Sequence, residues 1–239
     1  MSYRVILKWA SIILIFQSIL LLAPLVILGS AINWPSSLDD PAHINLPLVS
    51  ENLVAVSIGY SIYLLYSILI CPMAYFTGRC IVGDDISNPL FRIANGFAIV
   101  SMLTRCLGIV RWLFVMPYLS SVYINSETSE ASRETIEILY EMLNAYAGGI
   151  GEYLGVSLFN AIWLALISIL LIRSKTWPSS LGYFGLLVSC LFITTLIEIA
   201  GVDAWFLTTL VLTLFQTWLL VAALVFWHTR GQLMIEQKT

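Results

Sequence analysis

Charge is scarce in this sequence. Lys and Arg supply 11 of its 239 residues and Asp and Glu 14, so charged residues make up 10%, against about 25% in an average soluble domain. So few charges cannot cover a water-facing surface, which excludes an ordinary soluble globular domain. The net charge of −3 and the lack of a basic tract exclude nucleic acid as a partner and leave no footprint for an anionic surface.

Catalytic and metal-binding signatures are also missing. His43 and His228 are the only histidines, which argues against a haem held by two histidines. No HExxH, no His/Cys zinc spacing, no GxSxG and no phosphate loop occurs. No lysine lies in the middle of an apolar run, so a retinal Schiff base is excluded. Cys71, Cys80, Cys106 and Cys190 form no CxxC pair and read as small apolar packing residues, not as a disulfide framework. Asp84 and Asp85 beside Gly83 read as a solvated turn. The expectation is a noncatalytic protein with no cofactor and no metal.

Long apolar runs are abundant: hydrophobic residues make up 59% of the chain. A bilayer core needs about 20 mostly apolar residues per helix. Six stretches qualify, at about 6–32, 53–76, 93–119, 150–172, 181–201 and 205–227. The stretch from Trp9 to Ile32 exceeds the roughly 7–15 residues of a signal-peptide core and reads as the first span. Open strands are excluded because hydrocarbon cannot satisfy a sheet edge, and the runs lack the alternation of a membrane barrel. The expected fold class is all-α: a polytopic integral membrane protein, residues 1–239 forming a single six-span membrane domain.

Basic residues set the expected orientation. With the N-terminus inside, Arg4, Lys8, Arg79, Arg92, Arg173, Lys175, Arg230 and Lys238 all fall inside, and only Arg133 falls in an outer loop. Both termini are therefore expected in the cytoplasm. Cysteine use and loop charges suit a bacterial inner membrane. Pro35, Pro41 and Pro47 are expected to break any helix in the first outer connection. The third connection carries an amphipathic extracytoplasmic helix at about 132–147. Ile136, Leu139, Tyr140, Leu143 and Tyr146 form its apolar stripe, Glu134, Glu137, Glu141 and Asn144 the opposite one, and Ser132 its N-cap. Its acidic face is either solvated or a docking face for a partner.

Ionisable groups inside spans are costly and usually face the bundle interior. Arg105, Arg111, Glu152 and Glu198 stand out, all in the expected outer half of the bilayer. Arg111 is near enough to the interface to snorkel to water. Arg105 is not, and is expected to pair with Glu198 or Glu152. Polar stripes at Thr209, Thr213, Gln216 and Thr217, and at Tyr60, Tyr63 and Ser67, are expected to point inward with Asn160 and Gln17. These groups either tie the helices together at about 0.6 kcal/mol each or line a polar cavity open to the outer side. The candidate ligand-binding or ion-pair residues are thus Arg105, Arg111, Glu152, Asn160, Glu198 and Gln216. Pro24, Pro72 and Pro117 are placed to kink spans, and Gly151 and Gly155 share a face suited to close helix contact.

One local pattern has a family likeness. Leu170-Leu171-Ile172-Arg173-Ser174 is followed by Trp177-Pro178, then Leu181-Gly182 and Gly185. A span ending in Arg-Ser, then a short Pro-x-x-Leu-Gly turn into the next helix, resembles a bacterial membrane family known as domain of unknown function 4386. The likeness extends over about 52–230 as a pattern of spans. It implies a six-helix bacterial membrane protein and carries over no catalytic residue.

Three functional expectations follow. The first is a noncatalytic accessory component that binds other membrane proteins within the lipid bilayer. The second is a small-solute transporter or ligand-binding membrane protein with a cavity near Arg105, Glu198 and Gln216. The third is a lipid-modifying enzyme using Asp84 and Asp85 or Glu152 and Glu198.

Overall fold

The computed structural model of the chain describes residues 2–235; Lys238, used above for orientation, lies outside the described residues. The described residues are 87% helical, and no strand occurs among them. In chain order the α-helices are α1 Tyr3–Leu20, α2 Leu22–Ile32, α3 Ala42–Glu51, α4 Leu53–Val82, α5 Pro89–Val110, α6 Met116–Tyr123, α7 Glu130–Gly148, α8 Asn160–Arg173, α9 Ser179–Thr194 and α10 Trp205–Ile235. Two π-helical segments, Arg111–Val115 and Gly149–Phe159, join α5 to α6 and α7 to α8. Six helical stretches are long and apolar enough to cross a membrane: Tyr3–Ile32, Leu53–Val82, Pro89–Tyr123, Glu130–Arg173, Ser179–Ala200 and Phe206–Gln232.

The first stretch is interrupted at Leu21. Pro24 has no N–H to give the Leu20 carbonyl, and the helix resumes with Leu25 N donating to the Leu21 carbonyl at 3.4 Å. Pro72 lies inside α4, and Pro117 follows directly on the π-helical segment Arg111–Val115 within the helical stretch Pro89–Tyr123.

The first connection departs from expectation. Prolines do not keep it irregular: a short 3-10 turn covers Ser36–Asp39, and α3 follows with Pro47 inside it. Pro41 precedes the first turn of α3 in extended conformation (φ −66, ψ 158), which suits a helix start. Ala42, Leu46 and Val49 then fall on one buried face. Burial of that stripe outweighs the one backbone bond that Pro47 forgoes.

The contact clusters of the chain define two units. One comprises residues 20–68 and 103–152. Its core packs Leu28, Ile32, Leu46, Val49, Trp112 and Met116 with Ile136 and Tyr140. A polar lattice locks the core. Asn45 Nδ2 donates to the Ser37 carbonyl at 2.6 Å and to Tyr140 Oη at 2.8 Å. Tyr140 Oη donates to the Asp40 carbonyl at 3.2 Å. Asn144 Nδ2 donates to the Leu38 carbonyl at 2.7 Å, and Ser120 Oγ to the Leu46 carbonyl at 2.6 Å.

That lattice corrects the expected face of α7. Ile136 and Tyr140 are buried, but Leu139 and Tyr146 are exposed. The carbonyls of Leu38 and Asp40 draw Asn144 and Tyr140 inward, so the helix rolls toward its polar edge. Its N-cap is also three residues earlier than expected: Ser129 Oγ accepts from Ser132 N at 3.3 Å.

The other unit comprises residues 1–19, 69–102 and 153–239. Here α8 and α9 form a tight antiparallel hairpin with α10 against α9. Small residues let backbones approach. Ser189 Oγ donates to the Ala161 carbonyl at 2.8 Å, and Trp218 Nε1 reaches the Leu181 carbonyl at 3.0 Å. The Cys80 carbonyl accepts from Tyr3 Oη at 2.8 Å and from Trp177 Nε1 at 3.2 Å. The expected inward stripe on α10 faces outward instead: Thr209, Thr213 and Thr217 are exposed and Gln216 is half-buried. Thr213 and Thr217 each donate to the carbonyl four residues back, at 2.9 Å. A threonine satisfied within its own helix needs no neighbour and tolerates lipid.

A Cβ added at Gly182 would lie 2.8 Å from the Ser168 carbonyl oxygen and 3.1 Å from Ile172 N. Both are backbone atoms and cannot rotate away. Gly182→Val is therefore expected to push α9 off α8 and to destabilise the protein by about 1–3 kcal/mol. The loss should read out as an earlier unfolding midpoint in detergent, with Ser180→Val as the control on the exposed side of the same helix.

Candidate functional site: a buried arginine with unused donors

Two glycines set the geometry. Gly108 on α5 and Gly151 in the second π-helical segment meet backbone to backbone. A Cβ on Gly108 would lie 2.7 Å from Gly151 Cα, and one on Gly151 would lie 2.9 Å from Gly108 Cα. One turn beyond Gly108 comes Arg111, and directly after Gly151 comes Glu152. Both ionisable residues lie in π-helical segments, a widened geometry that recurs where a helix must re-aim a functional side chain. Gly148 completes the arrangement: a Cβ there would come within 2.8 Å of Arg111 Nη1, so its missing side chain is what leaves room for the guanidinium.

Arg111 Nη2 donates to Glu152 Oε1 at 2.8 Å. Arg111 is 5% exposed, while the Glu152 side chain keeps 45% of its surface. The expectation that Arg111 snorkels to water is therefore corrected. Burial by Trp112 and the Gly108–Gly151 contact holds the guanidinium inside, and Glu152 supplies the counter-charge. The same pair revises the expected partner of Glu152, which is Arg111 and not Arg105. Arg105 is itself buried, 3% exposed, on α5 in the same unit.

The remaining donors of the site are unspent. Arg111 Nε and Nη1 are buried without a hydrogen-bond partner, as are Trp112 Nε1 and the Tyr60 hydroxyl. These groups are close together. The Tyr60 and Trp112 rings stack at 5.1 Å with an interplanar angle of 6°, and Arg111 Cζ lies 5.7 Å from the Trp112 ring centroid. Leaving a buried donor unmade costs about 1–3 kcal/mol, more when it is charged. A cluster of such donors beside a half-exposed carboxylate has the chemistry to receive an acceptor-bearing group.

The other sequence candidates fall in the second-described unit. Asn160 is 1% exposed, and neither atom of its amide has a hydrogen-bond partner. Glu198 lies in a 3-10 turn, Thr195–Ala200, and accepts from Thr208 Oγ1 at 3.3 Å. Asp84 is fully exposed and 3.9 Å from Arg79, while Asp85 accepts from Ser87 Oγ at 2.8 Å. Among the described residues no group of three His, Cys, Asp or Glu is placed to hold a metal. Sequence reasoning missed Trp112, Gly108 and Gly148 as parts of the site. Adjacency to an intramembrane arginine was the available signal for Trp112, and helical spacing from Arg111 the signal for Gly108.

The family described as Domain of unknown function (DUF4386) matches residues 18–227, and the chain belongs to it. No curated protein and no solved structure matches the chain.

The ion pair is testable by a double-mutant cycle. Arg111→Met and Glu152→Gln are each expected to destabilise the protein, and the double variant by less than their sum. Side chains that share one hydrogen bond couple by about 0.5–3 kcal/mol. Glu152→Gln should be the milder single change, because an amide oxygen still accepts from Nη2 and the half-exposed side chain is less enclosed than Arg111. Additive effects in reversible unfolding would mean that the pair does not form.

Proposed function

We propose that this member of the DUF4386 family is a noncatalytic, multi-pass membrane protein that binds a small polar ligand through oxygen acceptors at Arg111, with Glu152 at the entrance. One observation carries the reading: a guanidinium held almost wholly out of solvent keeps Nε and Nη1 unpartnered while its counter-ion stays half-exposed. Structural ion pairs in apolar surroundings survive by satisfying their spare donors. This one leaves them for something else, and Trp112 Nε1 and the Tyr60 hydroxyl add two more directional donors nearby.

The distribution of Lys and Arg supports cytoplasmic termini and a bacterial inner membrane. The helix lengths favour an outer location for the site. At about 1.5 Å of helix per residue, the stretches from Arg92 to Arg111 and from Glu152 to Arg173 are each on the order of 30 Å of helix. That matches a hydrocarbon core ~30 Å thick. Both partners of the pair reach the outer interface from separate helices. The ligand therefore arrives from the outer side, at headgroup level, without crossing the membrane. The chain lacks nucleophile and metal motifs, which favours binding over turnover.

The test is thermal unfolding of the detergent-solubilised full chain against carboxylates, phosphate and neutral amides, together with native mass spectrometry after gentle extraction. A ligand at 100 times its Kd stabilises by about 2.7 kcal/mol, and Arg111→Gln is expected to abolish that shift. If no probe shifts the midpoint and no small mass co-purifies, the ligand reading fails. A stable heteromeric complex in its place would support the accessory, partner-binding role.

A further inference from the structure

The motif that carries the family likeness divides in two. Its C-terminal part is used in packing. Trp177 stacks edge-on to Phe226 at 4.8 Å and bonds the Cys80 carbonyl, the Leu181 carbonyl receives Trp218, and Gly182 lets α9 touch α8. Its N-terminal part packs through the buried Leu170 and Leu171 but not through Arg173. Arg173 is exposed and makes no hydrogen bond or ion pair with a described residue. With Ser174 it lines a cleft of about 220 Å³.

The cleft has two characters. Val82 at the end of α4, Leu90 at the start of α5 and Leu170 on α8 give it an apolar wall. Its polar lining is charge-balanced, with Arg173 and Ser174 alongside Asp85 and Asn88. Ser174 Oγ accepts from Thr176 N at 3.2 Å, and its own O–H is left to donate. Asp85 accepts from Ser87 Oγ at 2.8 Å and from Asn88 Nδ2 at 3.4 Å, which leaves lone pairs on its carboxylate. Asn88 Oδ1 is spent on the first turn of α5, accepting from Leu90 N at 3.1 Å and Phe91 N at 3.3 Å. The cleft therefore offers a guanidinium and a hydroxyl for an anion, a carboxylate for a cation, and an apolar floor. The space is several times the ~30 Å³ share of one water in the liquid.

We propose that this cleft binds a phosphodiester carrying a primary ammonium group, as found in an aminophospholipid headgroup and in the corresponding soluble glycerophosphodiester. The phosphate oxygens take the Arg173 guanidinium and the Ser174 hydroxyl, a charge-assisted pairing suited to arginine. The ammonium faces Asp85, which would repel a headgroup of purely negative charge. A trimethylated ammonium has no N–H to give Asp85, so the carboxylate selects the primary amine. The apolar wall receives the glycerol and the start of the acyl chains.

The experiment compares phosphatidylethanolamine, phosphatidylglycerol, phosphatidylcholine and water-soluble glycerophosphoethanolamine. It uses the full chain in mild detergent, with lipid retention read by native mass spectrometry and stabilisation by thermal unfolding. Wild-type protein is expected to retain phosphatidylethanolamine over the other two lipids. Arg173→Gln should weaken that retention about tenfold, the loss of roughly one charge-assisted hydrogen bond. Asp85→Asn should keep phospholipid bound but erase the preference among headgroups. Both side chains are exposed, so neither change threatens the fold. Stabilisation by the lipid alone assigns the site to the bilayer; equal stabilisation by glycerophosphoethanolamine assigns it to the soluble diester. Equal retention of all three lipids by wild type, or an Arg173→Gln variant that retains as much, overturns the proposal.

Discussion

Hydrocarbon offers no hydrogen bonds, and every polar atom in these long apolar helices must find its partner in the protein. Most do so by the shortest route. Ser11 and Ser18 donate to carbonyls four residues back, at 2.9 and 2.8 Å, and Thr213 and Thr217 do the same on the outward face of α10. Where helices touch, a hydroxyl crosses instead. Ser101 Oγ donates to the Gly155 carbonyl at 2.7 Å, and the Ser157 and Thr195 hydroxyls share a bond at 2.8 Å. The rule is broken at a few buried atoms, Asn160 and Trp163 among them, and at Arg111, Trp112 and Tyr60 the breaches gather around one guanidinium.

Composition and run length made the all-α class and the six apolar stretches legible, because spanning a bilayer demands length and dryness and little else. Element ends followed where a chemical signal existed, as at the Pro178 entry to α9. The first connection was opaque for a physical reason. A proline-based argument weighs one lost hydrogen bond, while α3 exists because Ala42, Leu46 and Val49 bury against elements distant in sequence. The roll of α7 was opaque for the same reason. Its apolar residues mark a broad face, and only the carbonyls of Leu38 and Asp40 select the part of it that docks.

At the site, the residue types were visible but the pairing was not. An arginine and a glutamate inside spans can be read off the chain. Which arginine meets Glu152 depends on the two π-helical segments, and each adds a local twist that a 3.6-residue period cannot anticipate. Thr209, Thr213 and Thr217 misled in the opposite direction. A stripe of hydroxyls suggests an inward face by composition, yet Thr213 and Thr217 bond back into their own helix and present mostly their methyl groups to their surroundings. Asn160 shows the contrast, since an amide is too rich in donors and acceptors to be silenced by its own helix.

The contact of Gly108 with Gly151 has a consequence for how this chain can diverge. At most helix interfaces a larger side chain on one side can be offset by a smaller one opposite, and descendants wander along such paired exchanges. Here both partners are already at the minimum, with Cα against backbone. Neither has volume to surrender, so no compensating path exists, and a single added methyl group moves both helices. A side chain at either position therefore parts the two backbones that bring Arg111 and Glu152 together.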